Sequence, residues 1–331
     1  MSRYAEAHAN PQGPGDARPT ALQIIQDEAA ENTLQGKVIV ITGTSSGIGI
    51  ETVSALSTTG AKLFLTARNL AKAKTALADI FKPSRMELIE MDQDSLASIR
   101  AAAAQILSKT DKINILVNNA GIMAVQTLEV TKDGHESQFG TNHLSHFLFF
   151  ELLKPALLAA VTPEFNSRVV IISSSAHASS GINTLDNYNF QNSKYHPLVA
   201  YGQSKTANIY MANEIERRYG PQGLHATSLH PGNIITALAQ HVPEAEVAAL
   251  LGNEDIRKSI KSREQGAATT LWAAIGKQWE GKGGKYLIDC AVAVPSKEGE
   301  SQYGSGYAKH AYDPESEARL WEDSLKIVGL S

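Results

Sequence analysis

The chain has 331 residues, 43% hydrophobic and 19% charged, the composition of a globular protein that buries a sizeable core. A formal net charge of −4 supplies no basic excess for contacts along a phosphate backbone, which excludes a nucleic-acid partner. The single cysteine, Cys290, rules out an intramolecular disulfide and no N-x-Ser/Thr acceptor occurs; both fit a reducing, cytoplasmic setting.

The first stretch, MSRYAEAHANPQGPGDARPT (1–20), is polar and rich in Pro and Gly. It lacks the pattern of a signal peptide and reads as a flexible arm. TALQIIQDEAAE (20–31) predicts a short helix capped by Thr20, with Leu22 and Ile25, and Ile24 beside them, as inward candidates. Residues 1–35 are thus expected to form an arm plus a short helix, with one domain over 36–331.

A regular alternation then begins. Strands are predicted at 37–42 (KVIVIT), 61–67 (AKLFLTA), 86–92, 113–119, 167–174 (SRVVIISS), 224–230 and 284–289. The continuous β-branched runs suit strands buried on both faces. Helices are predicted at 48–60, 69–81, 94–109, about 131–160, 198–219 and 263–275. The most apolar run, HFLFFELLKPALLAAV (146–161), is interrupted by Glu151, Lys154 and Pro155 and is too short to span a bilayer, so it reads as a buried helix. Strands alternating with helices predict an α/β fold: one doubly wound parallel sheet of about seven strands, covered on both faces. Two segments, 175–197 and 231–262, break the rhythm. Both follow strand C-termini, where ligands sit in open α/β sheets, and both are candidate substrate loops.

Between the first strand and helix stands TGTSSGIG (42–49). Gly43, Gly47 and Gly49 allow positive φ and close ligand approach, and the following helix N-terminus suits a pyrophosphate. Ser45, Ser46 and Ile48 complete the candidate cradle. Further on, AYGQSK (200–205) places Tyr201 and Lys205 four apart, on one face of a helix. A free tyrosine titrates near about 10. Lowering that by about 3 units needs about 4 kcal/mol, within reach of an adjacent ammonium in a dry pocket.

The G-x-x-x-G-x-G spacing with the Tyr-x-x-x-Lys pair resembles the short-chain dehydrogenase/reductase family over roughly residues 36–290. The resemblance implies a Rossmann-type fold and a nicotinamide cofactor. The end of the second strand, TARN (66–69), carries Ala67 and Arg68 where NAD-binding members have an acid, so NADP(H) is expected; Lys72 adds charge nearby. Asp92 matches the family's adenine-contacting acid, and NNAG (118–121) its adenosine-side motif through Asn119 and Gly121. The catalytic set it implies is Asn142, Ser174, Tyr201 and Lys205, with Ser173 or Ser175 as alternatives to Ser174. In HPGNIIT (230–236), Ile234 and Thr236 are expected to contact the cofactor. The tail, GGKYLIDC and DPESEARLWEDSLKIVG, and TNHLSHF (141–147), with Ser145 replacing a glycine, resemble the retinol-dehydrogenase-like and WW-domain-oxidoreductase-like branch.

The expected reaction interconverts a ketone or aldehyde and an alcohol. The substrate loops carry Tyr188, Phe190, Tyr195, Leu198, Leu238, Val242, Val247 and Leu250, a content suited to a small lipophilic or polyketide-like substrate. His143 and His146 share a helix face without an evident third ligand, so no metal is expected; His177 is placed beside the substrate pocket, and His225 and His230 read as structural. Homodimers or homotetramers of the family pack the helices at 131–160 and 198–219. Non-redox isomerisation or dehydration at the same site, and a catalytically silent cofactor-binding regulator, stay open as alternatives.

Overall fold

The computed structural model describes residues 2–184, 187–297 and 306–330. The N-terminal region holds α1 (Ala5–Ala9) and α2 (Ala21–Asp27). The alternation follows as β1 (Val38–Thr42), α3 (Ile48–Leu56), β2 (Lys62–Ala67), α4 (Leu70–Ala76), β3 (Met86–Glu90), α5 (Leu96–Leu107) and β4 (Ile115–Asn118). The second half runs through α6 (Ser137–Phe139), a π-helical turn (Gly140–Leu144), α7 (Ser145–Ala159), β5 (Ser167–Ile172), α8 (Pro197–Tyr219) and β6 (Leu224–His230). Then come β7 (Asn233–Ile234), α9 (Glu244–Gly252), α10 (Glu254–Ser259), β8 (Ile260–Lys261), α11 (Arg263–Gly266), α12 (Ala268–Ile275), β9 (Lys285–Ile288), β10 (Ala291–Val292) and α13 (Pro314–Ile327).

The main sheet has the order β10-β9-β6-β5-β4-β1-β2-β3 and is parallel except where β10 pairs with β9. Its order reverses between β1 and β4, which places the switch-point crevice at their C-terminal ends. The inner strands alternate into two cores. Val40, Phe64 and Leu116 pack under α5, α7, α8 and α13. Ile39, Ile41, Leu65 and Val117 pack under α2, α3 and α12.

Several expectations need correcting. Residues 2–20 are not a free arm: Tyr4 and Arg18 are buried, and the segment bonds to residues near 259 and 290. In α2, Thr20 accepts from the Gln23 N–H as expected, but Leu22 is 45% exposed while Ile24 and Ile25 are fully buried. The inward stripe is set by the chain packed behind it, and α12 covers the 24/25 face. The helix expected from 131 starts at 137, where Glu136 accepts from the Gln138 and Phe139 N–H groups as its cap. Segment 231–262 is largely helical, through α9 and α10. Of loop 175–197, residues 185–186 lie outside the described residues.

No predicted element covered α13. It closes over α7 and α8. Trp321 meets Phe147 edge-on at 4.9 Å, and the Arg218 guanidinium lies over its ring. Glu317 is buried and accepts from Asn213 and Arg217 of α8. Trp321→Ala should therefore lower the unfolding free energy by about 3–5 kcal/mol in a denaturant titration. A loss below about 1 kcal/mol would show α13 to be a peripheral appendage.

Candidate active site

The glycine loop leaves β1 where the chain has almost no room. Gly43 has φ +72°, and a Cβ there would lie 2.7 Å from the Ala120 Cα. A Cβ on Gly49 would overlap the Gly43 carbonyl oxygen. Gly47 precedes α3, whose first turn has no side-chain cap and so offers free N–H groups. Ser45, Ser46 and Ile48 lie half-buried along the same turn.

The β4 exit locks onto this loop. Thr42 Oγ1 accepts from the N–H groups of Asn119 and Ala120, each at 2.9 Å. The Asn119 amide donates to the carbonyls of Thr42 and Gly43. His146 completes the arrangement. Its Nδ1 lies 3.0 Å from the Asn142 carbonyl, which fixes Nδ1 as donor and Nε2 as acceptor; Nε2 takes the Thr42 hydroxyl at 2.9 Å and the Gln93 amide at 3.1 Å. Burial holds His146 neutral, pushed down to about 4. Sequence reasoning weighed His146 only as a metal ligand. Its position four residues after Asn142 was the available sign that it shares a helix face with the site.

Arg68 is exposed at the end of β2, with no ion pair among the described residues. Asp92, past β3, is held by the Lys132 ammonium at 2.7 Å. Burial pushes its carboxyl up, but Lys132 and the Asp94 N–H outweigh that and hold it below the usual range. Thr236 caps the turn after β7 and lies against Gly47, 3.6 Å from where a Cβ there would sit. The Ile234 side chain packs over Gly266 and next to Ile48.

Asn142, Ser174, Tyr201 and Lys205 converge. Asn142 sits in the π-helical turn, a geometry that recurs at functional sites. Its side chain clamps Ile122 through both backbone groups and donates to Ser204 Oγ. Lys205 Nζ donates to the Ile172 carbonyl at 3.2 Å and lies 5.4 Å from the Tyr201 ring centre, with Gly121 packed beside it. Among the three serines the roles divide. Ser173 Oγ donates to the Lys205 carbonyl, so it serves the scaffold. Ser174 Oγ accepts from the Ala176 N–H and lies close enough to the Tyr201 hydroxyl to pull its titration down.

Burial pushes the Tyr201 phenol up to about 12, against a downward pull from Ser174, and pushes Lys205 down to about 7. The expectation of a lowered tyrosine is therefore not met by the chain's own residues: desolvation outweighs the pull of Ser174. His177 lies behind the serines rather than in the pocket. Its Nδ1 donates to the Ser174 carbonyl at 2.7 Å and its Nε2 accepts from the Ala308 N–H. Tyr188 and Phe190 are also core residues, Tyr188 stacking on Phe139. Leu198, Leu238 and Leu250 are exposed, and so is Ile235, which sequence reasoning passed over.

A tight loop that a side chain would fill, an uncapped helix N-terminus and an exposed arginine fork together fit a dinucleotide. The model of the short chain dehydrogenase family matches residues 37–247. The short-chain dehydrogenase/reductase prx1 of Penicillium roqueforti is 50% identical over 99% of this chain and 96% of its own. The human WW domain-containing oxidoreductase is 33% identical over 87% of this chain and 69% of its own. A crystal structure of an uncharacterized protein from Mycobacterium paratuberculosis has a TM-score of 0.67 at 29% identity, covering 94% of this chain and 98% of that one. The chain belongs to the short-chain dehydrogenase/reductase family of oxidoreductases, which bind a nicotinamide cofactor. No described helix is long and apolar enough to cross a membrane.

Gly49→Ala should weaken nicotinamide-dinucleotide binding by at least about tenfold, or about 1.4 kcal/mol, because the loop must shift off the Gly43 carbonyl. Fluorescence titration checks this; an unchanged Kd would dissociate the loop from cofactor binding.

Proposed function

We propose that the protein is an NADP(H)-dependent oxidoreductase that interconverts a carbonyl compound and its alcohol, with Tyr201 as acid/base. The observation that carries this is the buried Tyr201 with the Lys205 ammonium 5.4 Å from its ring centre and Ser174 facing its hydroxyl, at the C-terminal edge of the sheet. A bound nicotinamide would supply the hydride. Gly43, Gly47 and Gly49 would hold its pyrophosphate with Ser45, Ser46 and Ile48; Asp92, Asn119 and Gly121 would flank the adenosine, and Ile234 and Thr236 the nicotinamide end.

The chain's own residues would do the rest. Ser174 Oγ takes an N–H from Ala176, so its proton is free to donate to a substrate oxygen. The same oxygen can receive the Tyr201 proton as alkoxide charge develops, or return it in oxidation. Lys205 would hold the cofactor ribose and favour the phenolate. Asn142 and its carbonyl would support the proton route around Lys205. The exposed leucines of the 231–262 segment support a small lipophilic or polyketide-like substrate.

Arg68 supports NADP(H) over NAD(H): an unpaired planar fork at the β2 end suits a 2′-phosphate. Arg68→Ala should raise the Kd for NADPH by about 10–100-fold, the loss of one charge-assisted contact, and leave NADH binding unchanged. Equal effects on both cofactors would remove Arg68 from the assignment.

Tyr201→Phe should cut NADPH oxidation with a ketone by about 10²–10⁴-fold while retaining NADPH binding. Reduction needs protonated Tyr201, so its rate should be level at low pH and fall as pH rises through that group's pKa; oxidation should run the opposite way. Lys205→Met removes the favouring charge and should move that midpoint upward. Retained turnover in Tyr201→Phe, NADPH binding without turnover of any carbonyl by the parent protein, or an unmoved midpoint in Lys205→Met would each sink the assignment.

A further inference from the structure

We propose that Arg18 is a positioning residue for the substrate side of the site: it fastens the 231–262 lid to the body of the protein through the N-terminal strap. The proposal rests on the reading above only for what the lid covers; the fastening itself stands on contacts made some 240 positions apart in sequence.

Arg18 is 4% exposed, and its donors reach backbone carbonyls on two sides. Nη1 donates to Ser259 O at 2.8 Å. Nη2 donates to Ile260 O at 2.7 Å, to Lys258 O at 3.3 Å and to Gly13 O at 3.1 Å. Three of these carbonyls end α10, where a helix leaves its last acceptors unsatisfied and its dipole favours a cation. The guanidinium is thus a C-terminal cap for the last helix of the lid, supplied by a distant part of the chain. Asp16 Oδ1 fixes the fork by accepting from Nε at 2.8 Å. Gln265 then ties the strap to the segment just beyond the lid, donating to the carbonyls of Asp16 and Arg18 and accepting from the Gly15 N–H.

The fastened point leads directly to the site. Ile260 and Lys261 form β8, which pairs in parallel with Asn233 and Ile234 of β7. Thr236 follows and lies against Gly47 of the glycine loop. Lys261 Nζ adds a second tie, to Asp289 at 2.7 Å and to Pro231 O at 3.4 Å. The two ends of the lid are therefore clamped at one place, and Arg18 holds the C-terminal end of α10 against it. α9 and α10, with no buried residues of their own, have little else to hold them down.

The test compares the full chain with Arg18→Ala and with Asp16→Asn, a milder change that leaves the guanidinium in place but unoriented; Arg18→Lys is the conservative control. Limited trypsin digestion without ligand reads the lid directly, at Arg257 and Lys258. Cleavage there should be about tenfold faster in Arg18→Ala and intermediate in Asp16→Asn, since proteolysis follows the population of the open form. With NADPH and a reducible ketone, the ketone KM should rise about fivefold while kcat stays within about twofold, and Arg18→Lys should recover part of the loss. Cleavage at the parent rate in both variants overturns the proposal. So does faster cleavage spread over the whole chain with an unchanged KM, which would mark a purely structural residue. If the parent protein turned over no carbonyl at all, the functional reading would fall while the digestion still decided whether Arg18 holds the lid.

Discussion

The fold is organised around a lysine ammonium taken out of water with no carboxylate within pairing distance among the described residues. Lys205 is 4% exposed, and the polar contact its ammonium makes is to the Ile172 carbonyl. A buried, unpaired charge is costly, and burial answers by pulling the group down to about 7. The residues around it hold it there all the same. Ser173 donates to the Lys205 carbonyl, Asn208 shares Ile172 O, and Gly121 of the turn after β4 packs between the ammonium and Asn142 of the π-helical turn. Tyr201, on the same helix face, is displaced in the opposite direction, up to about 12. Each group is unsettled alone, and each charged form would relieve the other. A pair prepared in that way gains most when charge develops between them, which is the condition for acid/base work on a substrate oxygen.

Holding such a pair requires that the surrounding strands do not give way. The exits of β1 and β4 approach so closely that Gly43 and Ala120 leave no space for another methyl group, and the Thr42 hydroxyl stitches both to His146. His146 in turn bonds the Asn142 carbonyl, so the glycine loop, the NNAG turn and the π-helical turn form one hydrogen-bonded unit. His177 plays the matching part on the other side, fixing the Ser174 carbonyl against the C-terminal segment at Ala308. Both imidazoles are pushed down to about 4 by burial, so they stay neutral donors and acceptors over the ordinary pH range and add no charge beside Lys205.

The parts of this arrangement that repeat locally were legible in the sequence. β1, β2 and β5 read as buried strands because each holds a continuous run of apolar or β-branched residues, and the structure buries nearly all of them. Tyr201 and Lys205 could be paired because a helix brings i and i+4 together. What depended on distant chain was not legible. The Pro- and Gly-rich opening has the composition of a free arm, and the α10 carbonyls some 240 residues away, which give Arg18 a reason to be buried, cannot be read from it. Leu22 and Ile24 are equally apolar, and the position of α12 decides which one faces inward. Tyr188 and Phe190 sit on a loop after a strand, the place of pocket residues; Tyr188 serves the core instead because α6 and α13 reach it, Asp323 accepting its hydroxyl at 2.9 Å, and Phe190 is buried with its ring against Tyr195.

The candidate site therefore has two halves of different character. The proposed cofactor half is made of strand exits and backbone, tied by bonds between residues of the parallel sheet, and little in it can move without breaking several contacts together. The proposed substrate half is made of short helices with no buried residues, joined to the body at the β7–β8 ladder and at Arg18. Low local stability there is what a site needs if it must open to admit a substrate and close again over it. The same division explains why the Tyr201/Lys205 pair could be read from a few spaced residues while the shape of the proposed substrate side could not. The pair is brought together by helix geometry, whereas the 231–262 segment is positioned by a distant strap.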